Sequence, residues 1–213
     1  MIKIKAFPFN PFAMNTYVVY DETGEGIIID AGNYTNDETA VLLNFTTGMN
    51  ISIKGVWLTH AHIDHIIGAK EISGKYGIPV FAHKDGMFLF DEAESYALSL
   101  GIAFKGIPDD IQDIDITKPV TFGNSRAIPL LTPGHVNGSI CYYFQNDKVL
   151  FSGDVLFRNG IGRTDLPTGD YTTLEMSIRN KLYTLPDDVT VYPGHGPKTS
   201  IGFEKSNNPF FQE

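Results

Sequence analysis

The segment Thr59-His60-Ala61-His62-Ile63-Asp64-His65 constrains this chain more than any other feature of its sequence. It follows Ile51 to Leu58, which reads as a strand. In extended backbone, residues two apart turn to the same side, roughly 6 to 7 Å apart at about 3.3 Å rise per residue. His60 and His62 can therefore grip one ion. Asp64 and His65 sit beyond them, where a helix begins, so they point elsewhere and suit a neighbouring ion. Two ligand pairs imply two adjacent metals. Without a cation, the fold would have to crowd three imidazoles and a carboxylate together uncompensated.

The chain has six histidines, and five of them fall in three short loop-like segments that each follow a strand. Pro133-Gly134-His135 and Pro193-Gly194-His195 end strand-like runs in the same way. Proline stops the ladder and glycine lets the backbone bend, which leaves the imidazole on a loop at the sheet edge. The sixth, His83, stands alone and reads as a hydrogen-bonded or surface residue. Asp154 ends the run Val149 to Gly153, and a carboxylate delivered there needs a cation or several donors. A bridging place between two metals satisfies it. Asp30, after Ile27-Ile28-Ile29, has the same setting, and it reads either as orienting a ligand histidine or as a plain turn residue. Imidazole and carboxylate without thiolate suit zinc, iron or manganese, with zinc the commonest choice in a histidine-rich hydrolytic site. The single cysteine, Cys141, excludes a multi-thiolate site and any internal disulfide.

The rest of the sequence arranges itself around these loops. Ile2–Phe7, Thr16–Tyr20 and Ile27–Ile29 read as an opening meander, and Thr35–Thr46 as a helix capped by Thr35 or Asn36. Asp64 is expected to cap one helix with Ile66, Ala69, Ile72 and Tyr76 on one side, ended by Gly77 and Pro79. Val80–Ala82 follows as a short strand, Asp85–Leu100 as a helix and Gly101–Lys118 as a surface loop. Val120–Phe122, Ala127–Leu131, Ile140–Phe144 and Val149–Phe151 are strand-like, with a hairpin turn at Asn146-Asp147. Asp170 or Thr172 opens a helix to Leu182, and Val189–Tyr192 is the last clear strand. Trp57 and Cys141 read as core and Tyr17 as packing, while Asn15 and Tyr34 are polar candidates near the site.

The 213 residues, 42% hydrophobic, exclude a disordered chain and point to one domain spanning 1–213. Sixteen Lys and Arg against 25 Asp and Glu give a net charge of −9 with no basic run, which argues against nucleic acid. No stretch reaches roughly 18 consecutive apolar residues, so no membrane span is expected. The N-terminus has neither the continuous apolar core of a signal peptide nor the composition of a transit peptide, and cytoplasmic is the simplest reading.

The order His60-x-His62-x-Asp64-His65, then His135, Asp154 and His195, resembles the metallo-β-lactamase superfamily over most of the chain. The nearest look is to glyoxalase II-like hydrolases, short members included, and Pro197 to Pro209 resembles the tail of those short members. The resemblance implies an α/β fold, a four-layer αβ/βα sandwich of two mixed sheets with helices outside. It also implies His60, His62 and His135 on one metal, Asp64, His65 and His195 on the second, and Asp154 bridging. Diiron flavoprotein relatives usually carry Glu where this chain has His62. The leading expectation is hydrolysis of a small acyl thioester by a hydroxide held between two divalent ions, with Asp64 and Asp154 as the carboxylates of the centre. Arg163-Thr164-Asp165 looks more like persulfide dioxygenases and short hydrolases, so a single-iron enzyme is a second reading; a lactonase and a non-catalytic metal-binding domain are others. Arg163 either binds a substrate carboxylate or braces its loop through Asp165.

Overall fold

The computed structural model describes residues 1–211. These form two compact units, residues 1–114 with 121–125, and residues 115–120 with 126 onward. The first unit opens with β1 (Lys3–Phe9), β2 (Met14–Tyr20) and β3 (Glu25–Ile29), an antiparallel meander. Pro8 is tolerated inside β1 because that strand lies at the sheet edge. Helix α1 (Asn36–Gly48) then crosses back to β4 (Ser52–Trp57), which pairs parallel with β3. Its start is a capping box: Thr35 Oγ1 accepts the Glu38 N–H at 3.1 Å, and Glu38 Oε2 accepts the Thr35 N–H at 2.9 Å.

A single helix from Asp64 to Tyr76 is not what forms. The structure has a short α2 (Ile63–Ile66), with His62 in the N-cap position, and then α3 (Ala69–Tyr76). The break has a concrete cause. The Gly68 N–H donates to the Ala31 carbonyl at 2.9 Å instead of to Asp64 one turn back, and the Asp64 carbonyl accepts from Asn10 Nδ2 at 2.9 Å. Gly68 lies so close to Asn33 that a Cβ there would sit 2.1 Å from the Asn33 Oδ1. Asp64 therefore belongs to the first turn of α2 and does not cap it.

The parallel half of the first sheet continues through β5 (Val80–Ala82) to β6 (Ile111–Asp113). Between them a 3-10 turn at Lys84–Gly86 precedes α4 (Phe88–Ser99), so the helix expected from Asp85 starts three residues later. β6 lies inside the stretch read as a surface loop; three residues are too few to show a period. Leu42, Ile72, Phe90, Ala93 and Ala97 from the helices share one apolar cluster with Ile28, Val56 and Val80 of the sheet. Truncating Leu42 or Ile72 to Ala should cost about 2–5 kcal/mol.

The second sheet contains β7 (Val120–Phe122), β8 (Ser125–Leu131), β9 (Ile140–Phe144) and β10 (Val149–Gly153). The small hairpin β11 (Leu156–Phe157) and β12 (Gly160–Ile161) follows, and then α5 (Tyr171–Ser177), which Asp170 caps and a π-helical turn extends through Leu182. β13 (Thr190–Pro193), β14 (Thr199–Ser200) and α6 (Ile201–Asn207) complete the described chain. The order is β14-β13-β10-β9-β8-β7; β10 and β13 run parallel, while β13–β14, β10–β9 and β9–β8 are antiparallel. Leu174, Ile178, Leu182 and Ile201 pack with Cys141, Leu150 and Val191. Both sheets are mixed and both carry helices, as expected. The hairpin β11–β12 and strand β14 had no signal in the sequence, each strand being two residues long.

Candidate metal centre

In the first unit the neighbouring parallel strands β3 and β4 each end in a loop, and the ligand candidates gather there. Asp30 sits at φ +55°, a left-handed conformation that Asp tolerates better than most residues. That bend turns its carboxylate onto the second loop. Its Oδ1 accepts the Thr59 N–H at 2.7 Å, and its Oδ2 accepts the Thr59 hydroxyl at 2.7 Å. The same Oδ2 lies 2.9 Å from His65 Nδ1, with both side chains almost fully buried.

These contacts fix proton positions. A carboxylate only accepts, so His65 carries its proton on Nδ1 and presents a lone pair at Nε2. Thr59 has spent its proton on Asp30, so the Thr59 Oγ1 to His60 Nδ1 contact of 3.1 Å takes its proton from the ring. His60 Nε2 then also carries a lone pair, and it lies 3.1 Å from His62 Nδ1. Adjacent nitrogens on a tetrahedral zinc, at Zn–N distances of about 2.0–2.1 Å, stand roughly 3.3 Å apart. Asp64 Oδ2 is 3.7 Å from His65 Nε2, and the ligand atoms of His60 and His65 lie within 4.8 Å of one another. The side chains of His60 and His62, and of Asp64 and His65, thus lie beside one another.

In the second unit, β10 and β13 shift register between Phe151 and Gly153, and Gly153 takes φ +49°. This irregularity at the strand end re-aims the residue that follows, Asp154. The Gly194 N–H donates to the Gly153 carbonyl at 2.8 Å, which ties the loop bearing His195 to the one bearing Asp154. Asp154 Oδ2 stands 3.5 Å from His195 Nε2 and 3.9 Å from His135 Nε2. His135 Nδ1 lies 2.8 Å from the carbonyl of Arg163, so its proton is on Nδ1 and its Nε2 also offers a lone pair. Gly134 at φ +126° carries the bend before His135. The His195 ring meets Phe157 edge-on at 6.3 Å.

Both halves suit divalent cations by the chemistry of their donors: imidazole nitrogens, those of His60, His65 and His135 with committed tautomers, partly or fully buried carboxylates and no thiolate nearby. Arg163 forms a fork on Asp165, Nε to Oδ1 at 2.7 Å and Nη2 to Oδ2 at 2.6 Å, the bracing geometry. That hydrogen-bonded guanidinium holds the Asp165 carboxyl down at about 2. His83 takes no part in either cluster; it is buried and accepts the Asp85 N–H at the 3-10 turn. Tyr17 is packed, and the Tyr34 hydroxyl accepts the Ala103 N–H. Trp57 and Cys141 are core, and burial pushes the Cys141 thiol up to about 12. Sequence reasoning gave no role to Thr59, although it opens the histidine segment, and nothing in the sequence pointed to Asn10.

With its fold and donor clusters described, the chain can be placed. It belongs to the metallo-beta-lactamase superfamily, whose Lactamase_B family matches residues 10–195. Hydroxyacylglutathione hydrolase GloC of Haemophilus influenzae is 37% identical to it, over 98% of this chain and 98% of that protein. Among solved structures, BLEG-1 B3 metallo-beta-lactamase superposes with a TM-score of 0.88 at 36% identity, covering 99% of this chain and all of that one. TTHA1623, solved in a di-iron-bound form, gives 0.86 at 32% identity, covering 97% and 100%. The fold is accordingly the metallo-β-lactamase fold. Among the described residues no helix is long and apolar enough to cross a membrane.

Proposed function

We propose that the chain works as one catalytic domain, a dinuclear metal-dependent hydrolase of small acyl thioesters of the hydroxyacylglutathione type. His60, His62 and His135 would hold one divalent ion and Asp64, His65 and His195 the other, with Asp154 between them. The observation that carries this reading is the proton arrangement: acceptors at Asp30, Thr59 and the Arg163 carbonyl leave Nε2 lone pairs on His60, His65 and His135. The likeness to GloC supports the substrate class, and the matched region runs from Asn10 to His195 and so includes all seven ligand candidates.

Two divalent ions held there would supply Lewis acidity, lowering the pKa of water toward about 7 at zinc and polarising a carbonyl. The protein's own residues set the electrostatics. The carboxylates of Asp64 and Asp154 neutralise half the charge of two divalent ions and the five neutral imidazoles none of it. A centre held by these residues would stay net positive, which would favour negative charge developing on a carbonyl oxygen. Asp30 keeps two imidazoles in their ligating tautomer throughout. Zinc is the proposed metal, and the di-iron form of TTHA1623 makes iron the one to test beside it. The lone Cys141, buried as a thiol, suits a reducing cytoplasm.

The test is metal content measured on the same sample as a substrate panel: a hydroxyacyl thioester of glutathione, a homoserine lactone, a β-lactam and glutathione persulfide with oxygen uptake. Two ions per chain with the thioester turned over fastest is the expected result. One iron with oxygen uptake, or a metal-loaded protein inert to every ester and thioester, overturns it.

A further inference from the structure

We infer that Asn10 is a positioning residue for the Asp64–His65 ligand pair, an inference that rests on the dinuclear reading above. Asn10 lies at the turn between β1 and β2, far in sequence from the histidine segment. Its Nδ2 has two protons and both are spent at long range, one on the Gly32 carbonyl and one on the Asp64 carbonyl, each at 2.9 Å. Its Oδ1 accepts the Phe12 N–H at 3.0 Å, and its own N–H donates to Glu38 Oε1 at 2.8 Å. The other oxygen of Glu38 accepts from Tyr34 and Thr35. One residue therefore joins the start of α1, through its backbone N–H, to the loop after Asp30 and the first turn of α2, through its side-chain amide.

What this junction sets is the spacing between Asp30 and the ligands it serves. Gly32 is two residues past Asp30, and Asp64 and His65 are the ligand pair itself. Because the Gly68 N–H has turned to Ala31, the Asp64 carbonyl lacks its helical i+4 donor, and the Asn10 amide takes that place. The close approach needs a glycine: a Cβ at Gly32 would stand 2.7 Å from the Asp64 carbonyl oxygen and 2.9 Å from Asn10 Nδ2. Asn10 itself sits at φ +55°, where Asn is tolerated and most residues are strained. Position 10 thus combines a backbone that favours Asn or Gly with a side chain whose donors only Asn supplies. Gly keeps the first and removes the second.

The experiment uses the full chain, with zinc alone as the metal-binding probe and cobalt as a spectroscopic substitute. Asn10→Gly preserves the left-handed turn and deletes the amide. Asn10→Asp preserves the shape but faces two carbonyls with a carboxylate. Asn50→Gly, at another left-handed position (φ +51°) on the exposed turn after α1, controls for chain entropy. Both Asn10 variants should keep one tightly bound zinc and bind the second at least about 10-fold more weakly in chelator competition, with a changed cobalt spectrum. Asn50→Gly should match the wild type in zinc uptake, and metal-free Asn10→Gly should still unfold cooperatively, melting below Asn50→Gly by the side-chain hydrogen bonds it has lost. The inference is overturned if the Asn10 variants take up both ions as the wild type does, or if they lose both ions together with metal-free stability. A wild-type chain that never binds a second ion overturns the dinuclear reading, and this inference with it.

Discussion

Asp30 and His65 face each other across 2.9 Å, Oδ2 to Nδ1, in a nearly dry setting, and the same carboxylate oxygen receives the Thr59 hydroxyl that lies against His60. One side chain therefore governs two imidazoles, one directly and one through a hydroxyl.

Replacing Asp30 with Asn tests this coupling. Asn tolerates the left-handed backbone at this position, so the turn survives while one accepting oxygen becomes a donor. Metal affinity and thioester turnover should each fall by about 10- to 100-fold with an unchanged circular dichroism spectrum. Equal affinity in the variant would reduce Asp30 to a turn residue.

Asp154→Ala and His65→Ala should each lower thioester turnover by orders of magnitude, because each removes a proposed ligand from a strand-end loop and leaves the sheets intact. Steady-state kinetics beside a thermal melt separates loss of chemistry from loss of fold. Turnover that stays at the wild-type level in either variant would refute the ligand assignment.

Acid stability should depend on Asp21. Burial pushes its carboxyl up, but donors from the Thr23 and Ser125 hydroxyls and the Thr23 and Asn124 N–H groups outweigh that and hold it below its ordinary range. A carboxyl lowered in the folded state adds stability that is complete above the unfolded value of 3.8 and disappears as pH falls through the folded value. Asp21→Asn should therefore flatten the stability curve as pH falls below 3.8. Denaturant titrations across that range read it directly, and an equally steep acid limb in the variant contradicts the assignment.

Gly134→Ala should be costly although only a methyl is added. At φ +126° an alanine is strained, and its Cβ would stand 2.2 Å from the backbone nitrogen of Leu174. A loss of about 2–4 kcal/mol, or roughly 10 °C in Tm, is expected. Calorimetry of the metal-free protein checks it; a shift under about 2 °C would mean that the loop before His135 yields easily.

The grouping of the ligand candidates was legible because its signal is local. Each candidate follows an apolar strand, and strand ends are where such a sheet presents polar groups. The capping box of α1 and the Asp170 cap of α5 were readable for the same reason. What stayed hidden depends on backbone partners. The apolar spacing of Ile66, Ala69, Ile72 and Tyr76 runs straight through the break at Gly68, and no pattern says that the Gly68 N–H will choose Ala31 over Asp64. The Asn10 clamp is invisible in the sequence too, since it spans 54 residues and ends on carbonyls that every residue possesses. Strands β11, β12 and β14 are too short for any periodicity.

The fork between Arg163 and Asp165 bears on how ligands are chosen. Held down at about 2, the Asp165 carboxyl is charged near neutral pH and gives the arginine a partner from its own loop. A carboxylate from solution seeking the Nε and Nη2 edge meets a neighbour from two residues away already seated there. That edge of the guanidinium is spoken for within the loop itself, which stiffens the chain over residues 163–165.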